Sequence, residues 1–295
     1  MIGLTFQGQL GNQMFQYAAA RVQAARLGCG LVIARSDGLV RAPDNPSRRI
    51  LPHELFKAFP DLAVHPVSYW LARPKSISPV FRDAAVWGLF QNVYVQPSET
   101  DAGGELGYDD LIWSIKKRTL ISGFFQSTRY FDGYESQIRD WFSPSASTAE
   151  AVARLMWTLP VPASEMIAVH IRRCDYAGLT YNGGVWALPA EYYERVLGQF
   201  PTDAPIALFS DDPVDAARLL PRPPAWTAPK GAAATDLFLM AGFRRMVIAN
   251  STFSWWAAWL NTQPGKVVVA PEYFIGWQTK RWFPADIRVE GWTYV

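Results

Sequence analysis

The alternation of apolar and polar residues along the chain changes character near its middle. Ile2, Gly3, Leu4, Thr5 and Phe6 form a short apolar run that ends in Gln7-Gly8-Gln9-Leu10-Gly11. Phe15, Ala18, Ala19, Val22 and Ala25 then fall on one helical face, so the order is strand, glycine loop, helix. Gly28-Cys29-Gly30 stops that helix and Leu31-Val32-Ile33-Ala34 reads as the next buried strand, which makes a β-α-β unit. Residues 35–118 carry prolines at 43, 46, 52, 60, 66, 74, 79 and 97 and an acidic, glycine-rich stretch near 100–110, predicting irregular connections and short helices. A strand over 120–125 and a helix over 132–142 follow.

A helix over 148–159 runs into Pro160-Val161-Pro162-Ala163, the expected linker between a first domain at 1–159 and a second at 164–295. Beyond it the pattern is regular. Apolar runs at 166–171, 206–209, 246–249 and 267–270 alternate with helical stretches at 190–200, 214–220, 236–242 and 253–261. Strands alternating with helices predict a parallel, doubly wound α/β sheet.

Composition narrows the function. Twenty-eight basic against 26 acidic residues leave a formal charge of +2, without the basic excess that a phosphate backbone selects, so no nucleic acid is expected as partner. Cys29 and Cys174 lie far apart, which argues for a reducing compartment over a disulfide framework. Three histidines and two cysteines are too few for a His/Cys zinc site, and no Asp-any-Asp triplet occurs. The N-terminus lacks the basic n-region of a signal peptide, and the longest uncharged windows are interrupted by Gln, Asn, Ser and Thr, so no integral membrane segment is expected.

Candidate chemistry clusters just after predicted strands of the second half: His170-Ile171-Arg172-Arg173-Cys174-Asp175, then Ser210-Asp211-Asp212, then Asn250-Ser251-Thr252-Phe253-Ser254. In open α/β sheets ligands bind beyond the carboxyl ends of the strands, so the three clusters converge on one site. Arg172 and Arg173 offer planar forks that match phosphate oxygens, with Asp175 placed to hold one of them; a surface ion pair is the plain alternative. Asn250, Ser251 and Thr252 precede a helix and supply either an anion site on its positive end or an ordinary N-cap. Asp211-Asp212 serves equally as a helix cap. Asp236 reads as a cap or as a carboxylate facing a base such as guanine, whose ring N–H and amino group form a paired donor. Gly8 and Gly11 allow close backbone approach but complete no dinucleotide or phosphate-loop fingerprint.

Taken together, these stretches resemble the glycosyltransferase family 11 fucosyltransferases, typified by α-1,2-fucosyltransferases. The resemblance is carried by residues 8–17 (Gly8 to Tyr17), by 170–176, by Phe209-Ser210-Asp211-Asp212, and by 248–256 (Ile248 to Trp256). It implies a GT-B type fold, two Rossmann-like domains with the donor site in the cleft between them. The activity it implies is inverting transfer of fucose from GDP-L-fucose, without cofactor or metal, to the 2-hydroxyl of a terminal β-galactoside in an oligosaccharide or lipid-linked glycan. Arg172 is then expected on the departing β-phosphate, assisted by Ser251, Thr252 and Ser254. Asn12 and the glycine loop face the diphosphate and reacting sugar, and His170 and Asp236 address the guanine. Arg172, Asn12 and Asp175 make the expected catalytic set; Gly8, Gly11, His170, Arg173, Asp211, Asp236, Asn250, Ser251, Thr252 and Ser254 make the donor set.

The general base is not identified by sequence. Two positions depart from the family pattern, Gln9 where a second Gly is usual and Cys174 where Gly precedes Asp175; either is strained if its φ is positive. Thirteen tryptophans invite a carbohydrate reading, but six lie between Trp255 and Trp292, and Trp255, Trp256 and Trp259 are expected to pack on the sheet. Trp186 and Trp87 remain as acceptor platforms. The implied setting is cytoplasmic, peripheral to the inner membrane. A non-catalytic nucleotide-sugar or glycan-binding module is the alternative of a different class, and a fucosyltransferase with another acceptor hydroxyl the nearer one.

Overall fold

A computed structural model describes residues 1–35, 38–72, 86–97, 107–181, 184–274, 277–278, 280 and 284–295. Most of the acidic stretch near 100–110 falls outside them. The chain divides into two compact units, Met1–Ser143 and Pro144–Val295.

In the first unit β1 (Ile2–Leu4), α1 (Leu10–Arg26) and β2 (Leu31–Ile33) form the expected β-α-β start. A hairpin of β3 (Val40–Arg41) and β4 (Arg49–Ile50) and two short helices, α2 (Glu54–Ala58) and α3 (Val67–Leu71), follow. Then come β5 (Asn92–Val95), β6 (Thr119–Ser122) and α4 (Glu135–Trp141). The sheet is ordered β2-β1-β6-β5, all parallel, with Gly3 opposite both Val32 and Leu120. Glycine is required at position 3 because the Phe90 ring sits 2.5 Å from where a Cβ would stand. The strand expected over 120–125 ends at Ser122, since Gly123 (φ 157°) and Phe125 (φ 54°) turn the chain away.

In the second unit α5 (Ala146–Met156) leads to β7 (Ile167–Ile171), the small β8 (Thr180–Tyr181) and β9 (Gly184–Val185) hairpin, and α6 (Ala190–Leu197). Next are β10 (Ile206–Ser210), α7 (Pro213–Ala217), β11 (Trp226–Thr227), α8 (Ala233–Ala241) and β12 (Arg245–Val247). The chain closes with α9 (Thr252–Leu260), β13 (Val267–Ala270) and β14 (Thr293–Tyr294). All six strands of the order β11-β10-β7-β12-β13-β14 are parallel. Both faces are therefore covered, and the strands are nearly continuous apolar runs, as burial on two sides demands.

The expected linker at 160–163 lies inside the second unit. The helix before it, α5, packs on α8, and Met156 Cε occupies the space a side chain on Gly242 would take. Two prolines break a helix locally; contacts decide which unit the helix joins. The tryptophans of α9 are core as expected, with Trp255, Trp256 and Trp259 each at most 5% exposed.

Candidate active site

Strand order in the second sheet reverses at β7, which has β10 on one side and β12 on the other. The crevice beyond the carboxyl ends of β7 and β12 is thus the switch point where open α/β sheets take ligands. His170 belongs to β7 and Arg172 follows it. Side chains alternate along the strand: Ile167, Val169 and Ile171 enter the hydrophobic core, while His170 faces the other layer and meets Phe253 of α9 at 5.9 Å between rings. His170 is 5% exposed, and its Nδ1 has no hydrogen-bond partner among the described residues. Burial first, and then the neighbouring Arg172 charge, lower its pKa to about 4, so the imidazole is neutral at physiological pH.

Arg172 is gripped on two sides. Its Nη2 meets Asp175 Oδ1 at 2.8 Å and its Nη1 meets Asp211 Oδ2 at 3.2 Å, with the guanidinium 5.5 Å from the Tyr176 ring centre. Desolvation alone would lower its pKa, but the Asp175 hydrogen bond and the Asp211 charge outweigh it and the value rises. The result is a permanently charged fork held at the end of a buried strand.

The other expected donor residues divide into those facing the crevice and those already committed. Asp211 also accepts from the backbone N–H of Arg173 at 2.8 Å, so its carboxylate braces the arginine loop rather than standing ready for a ligand. Arg173 turns its Nε onto Asp215 of α7 at 2.6 Å and is a structural partner of that helix. Asp212 caps α7 through the Asp215 N–H, the plain alternative for that pair. Ser254, fully buried, donates its hydroxyl to the carbonyls of Ala249 and Ser251, which removes it from the expected phosphate set. Asn250 donates to the Trp186 carbonyl at 2.7 Å and thereby pins the loop that carries Trp186; its Oδ1 is buried without a hydrogen-bond partner among the described residues. Ser251 is the N-cap of α9 but makes no side-chain capping bond, and Thr252 opens the helix.

Asp236 lies in the first turn of α8, which starts at the same edge of the sheet because it crosses from β11 to β12. It is no cap: its Oδ1 is buried and has no hydrogen-bond partner among the described residues. Burial raises its carboxyl to about 6. A buried carboxylate oxygen left unsatisfied at this edge of the sheet is equipped to accept hydrogen bonds from a ligand.

In the first unit the glycine loop joins β1 to α1. Gly8 has φ 71°, and a Cβ there would lie 2.3 Å from Asn12 Nδ2, so only glycine fits. Gln13 and Gln16, one turn apart on α1, fasten the loop: Gln13 Nε2 donates to the Gly8 carbonyl at 2.8 Å, and Gln16 binds both backbone groups of Gln7. Gly11 lies inside the first turn of α1. Gln9, the N-cap residue, is extended at φ −91°, and Cys174 is not among the residues with positive φ, so neither departure from the family pattern strains the backbone. Asn12 Oδ1 accepts from Gln126 Nε2 at 2.8 Å. Trp87, 60% exposed, is not brought to this edge: the carbonyls of its neighbours Gly88 and Leu89 accept from Arg118, at the amino end of β6.

Sequence reasoning missed Tyr176, which packs edge-on to Trp186 at 5.3 Å between rings, and it missed the three glutamines. The helical spacing of Gln13 and Gln16 was a usable signal. Gln126, alone in an apolar stretch, offered none. Among the described residues no helix is long and apolar enough to cross a membrane.

Two parallel α/β units, one with a charged fork, a neutral imidazole and an unsatisfied carboxylate oxygen at the carboxyl edge of its sheet, define a protein of the doubly wound α/β class. The chain belongs to glycosyl transferase family 11, whose model matches residues 107–295, and it is a glycosyltransferase. It is similar to the O-antigen biosynthesis glycosyltransferase WbnK of Escherichia coli, 26% identical over 91% of this chain and 93% of that protein. It is also similar to an alpha-1,2-colitosyltransferase of Escherichia coli, 28% identical over 54% of this chain and 57% of that one. Among solved structures it resembles the NodZ alpha-1,6-fucosyltransferase soaked with GDP-fucose (15% identity, 88% and 92% covered, TM-score 0.42). It likewise resembles POFUT1 in complex with GDP-fucose (13% identity, 91% and 96% covered, TM-score 0.47).

Proposed function

We propose that the chain transfers L-fucose from GDP-L-fucose to the 2-hydroxyl of a terminal β-galactoside, inverting the anomeric centre in one displacement. The observation that carries this reading is Arg172, fixed between Asp175 and Asp211 at the switch point of the second sheet. As the glycosidic bond to GDP breaks, negative charge grows on the β-phosphate, and a preorganised guanidinium with the backbone N–H groups opening α9 stabilises it. Asp236 accepts from the ring N–H and amino group of guanine, and neutral His170 also addresses the base. The attacking hydroxyl must lose its proton to a positioned carboxylate, and Asp175, half-exposed beside Arg172, is the candidate in this reading. No metal takes part. The acceptor is an oligosaccharide or a lipid-linked glycan, met by a cytoplasmic enzyme at the inner membrane face, with Trp186 as its aromatic neighbour.

The similarity to an alpha-1,2-colitosyltransferase supports a second reading, in which a nucleotide-activated colitose replaces the fucosyl donor in the same linkage. One experiment separates them. The protein is incubated with each activated sugar and a panel of short β-galactosides, with and without EDTA, and the product linkage is assigned by NMR. Transfer of fucose to the galactose 2-hydroxyl, indifferent to EDTA, is expected; strict need for added manganese, or turnover of colitose alone, counts against the first reading. In the same assay Arg172→Ala should lose on the order of 3 kcal/mol of transition-state stabilisation, the scale of removing one oxyanion donor.

A further inference from the structure

We propose that Tyr176 and Asn250 are positioning residues for Arg172: Tyr176 is the ring against which the guanidinium is set, and Asn250 acts through Trp186, which backs that ring. The inference rests on the reading above, in which Arg172 meets the departing phosphate. All four side chains belong to the second unit.

The spacing of the residues sets up the first contact. Past the end of β7 the chain makes one helical turn, in which the Ala177 N–H donates to the Arg173 carbonyl at 2.9 Å and the Gly178 N–H to the Asp175 carbonyl at 3.3 Å. Residues three and four apart on such a turn are neighbours, so Asp175 and Tyr176 both come back to Arg172. They restrain it differently. Asp175 and Asp211 each take one terminal nitrogen of the fork, at 2.8 and 3.2 Å. Grips at the ends of a plane set its reach, whereas a face against it sets its tilt. The Tyr176 ring, its centre 5.5 Å from the guanidinium carbon, supplies that face. Burial pushes the Tyr176 hydroxyl up to about 12, so no phenolate competes with the two carboxylates for the charge.

The ring is backed in turn. Trp186 stands edge-on to it at 5.3 Å between centres. Trp186 is fastened through its backbone, its N–H donating to the Leu179 carbonyl at 3.0 Å and its carbonyl accepting from Asn250 Nδ2 at 2.7 Å. One residue earlier, the Val185 N–H donates to Gln278 Oε1 at 2.8 Å. Asn250, 2% exposed just beyond β12, therefore holds an arginine of the neighbouring strand at two removes. The resemblance put Asn250 on the donor, yet the donating end of its amide is committed to a backbone carbonyl. A fork that must meet growing charge gains from being set beforehand, which is what this chain of contacts does.

The test compares the full chain with Tyr176→Leu, which removes the ring, and Tyr176→Phe, which restores it. Where the Leu variant does not fold, Tyr176→Met, a flexible filler of the same space, takes its place. Tyr176→Leu should lower kcat for fucose transfer about tenfold, the scale of one partly desolvated cation–ring contact, while KM for GDP-fucose moves less than about threefold. Tyr176→Phe should recover kcat to within about twofold of the wild type. Asn250→Ala should lose activity as Tyr176→Leu does and, combined with it, cost nothing further. The Arg172 Nε–H resonance, assigned by its loss in Arg172→Lys, should shift in Tyr176→Leu and in Asn250→Ala, because the field of the ring at that proton changes. Equal losses in Tyr176→Phe and Tyr176→Leu, losses that multiply in the double variant, or a resonance unmoved by either change would each overturn the inference. If the wild type transfers no sugar from a GDP donor, the fucosyl reading falls, and the resonance alone still decides whether Tyr176 and Asn250 orient Arg172.

Discussion

The Asp236 carboxyl carries a pH dependence that its surroundings dictate. Burial raises its pKa to about 6, above the usual carboxylate range. For an acid raised on folding, the favourable contribution is present below the unfolded pKa and is lost as pH climbs through the folded one, so at neutral pH the ionised group opposes the empty fold. A ligand that donates hydrogen bonds to the carboxylate reverses this, and its affinity must fall as the group protonates. GDP binding measured by calorimetry should therefore weaken about fivefold from pH 6 to pH 5 in the wild type relative to Asp236→Asn, whose profile removes the titration of the phosphate itself. Parallel profiles in the two proteins would show that Asp236 does not meet the base. The position of Arg172, Asp175 and Asp236 at the carboxyl edge of the second sheet was legible in the sequence because unusual polar residues stood just beyond predicted strands or at a helix start. Which partner claims a polar side chain was not legible. Asp211 and Ser254 lie in the same clusters, yet one is claimed by Arg172 and the Arg173 amide, and the other by two carbonyls. Three-dimensional competition for donors makes that choice, and sequence spacing does not record it.

At the scale of an element, α9 shows why tryptophan count misleads. Its nine residues, Thr-Phe-Ser-Trp-Trp-Ala-Ala-Trp-Leu, are apolar nearly all round, which is the pattern of a helix buried on every side. Trp255 and Trp259 stack with rings 7° from parallel, and Trp256 stands edge-on to both. Trp256→Ala should cost about 3–5 kcal/mol in urea denaturation, the scale of an emptied aromatic site, while the exposed Trp87→Ala should stay within about 0.5 kcal/mol. A loss at Trp87 matching that at Trp256 would mean that the exposed ring packs in solution. The strands and helices of the second half fall close to their apolar runs because a two-sided parallel sheet needs them continuous. The element ends shift where backbone geometry intervenes, as at Gly123 and Phe125, whose conformations depend on Gln96 from another segment.

At the scale of the whole chain, the informative element is α5. Pro160 and Pro162 suggested a border, but α5 belongs with the second unit, where Met156 seats against Gly242 and the Thr158 hydroxyl accepts from the Trp226 indole at 3.1 Å. Half-buried Val152, Leu155 and Met156 supply its apolar face. Each such side chain contributes on the order of 1 kcal/mol through partial burial, so losing all three removes a few kcal/mol from a fold whose total stability is about 5–15 kcal/mol. A chain of residues 144–295 should therefore unfold cooperatively in urea with a clearly higher midpoint than one of residues 164–295, and the shorter chain should expose the α8 face and bind a hydrophobic dye. Equal midpoints would restore the proline segment as the boundary. Proline grammar marks where a helix must stop; only the complementary surface on α8, which no local pattern announces, says to which unit that helix belongs.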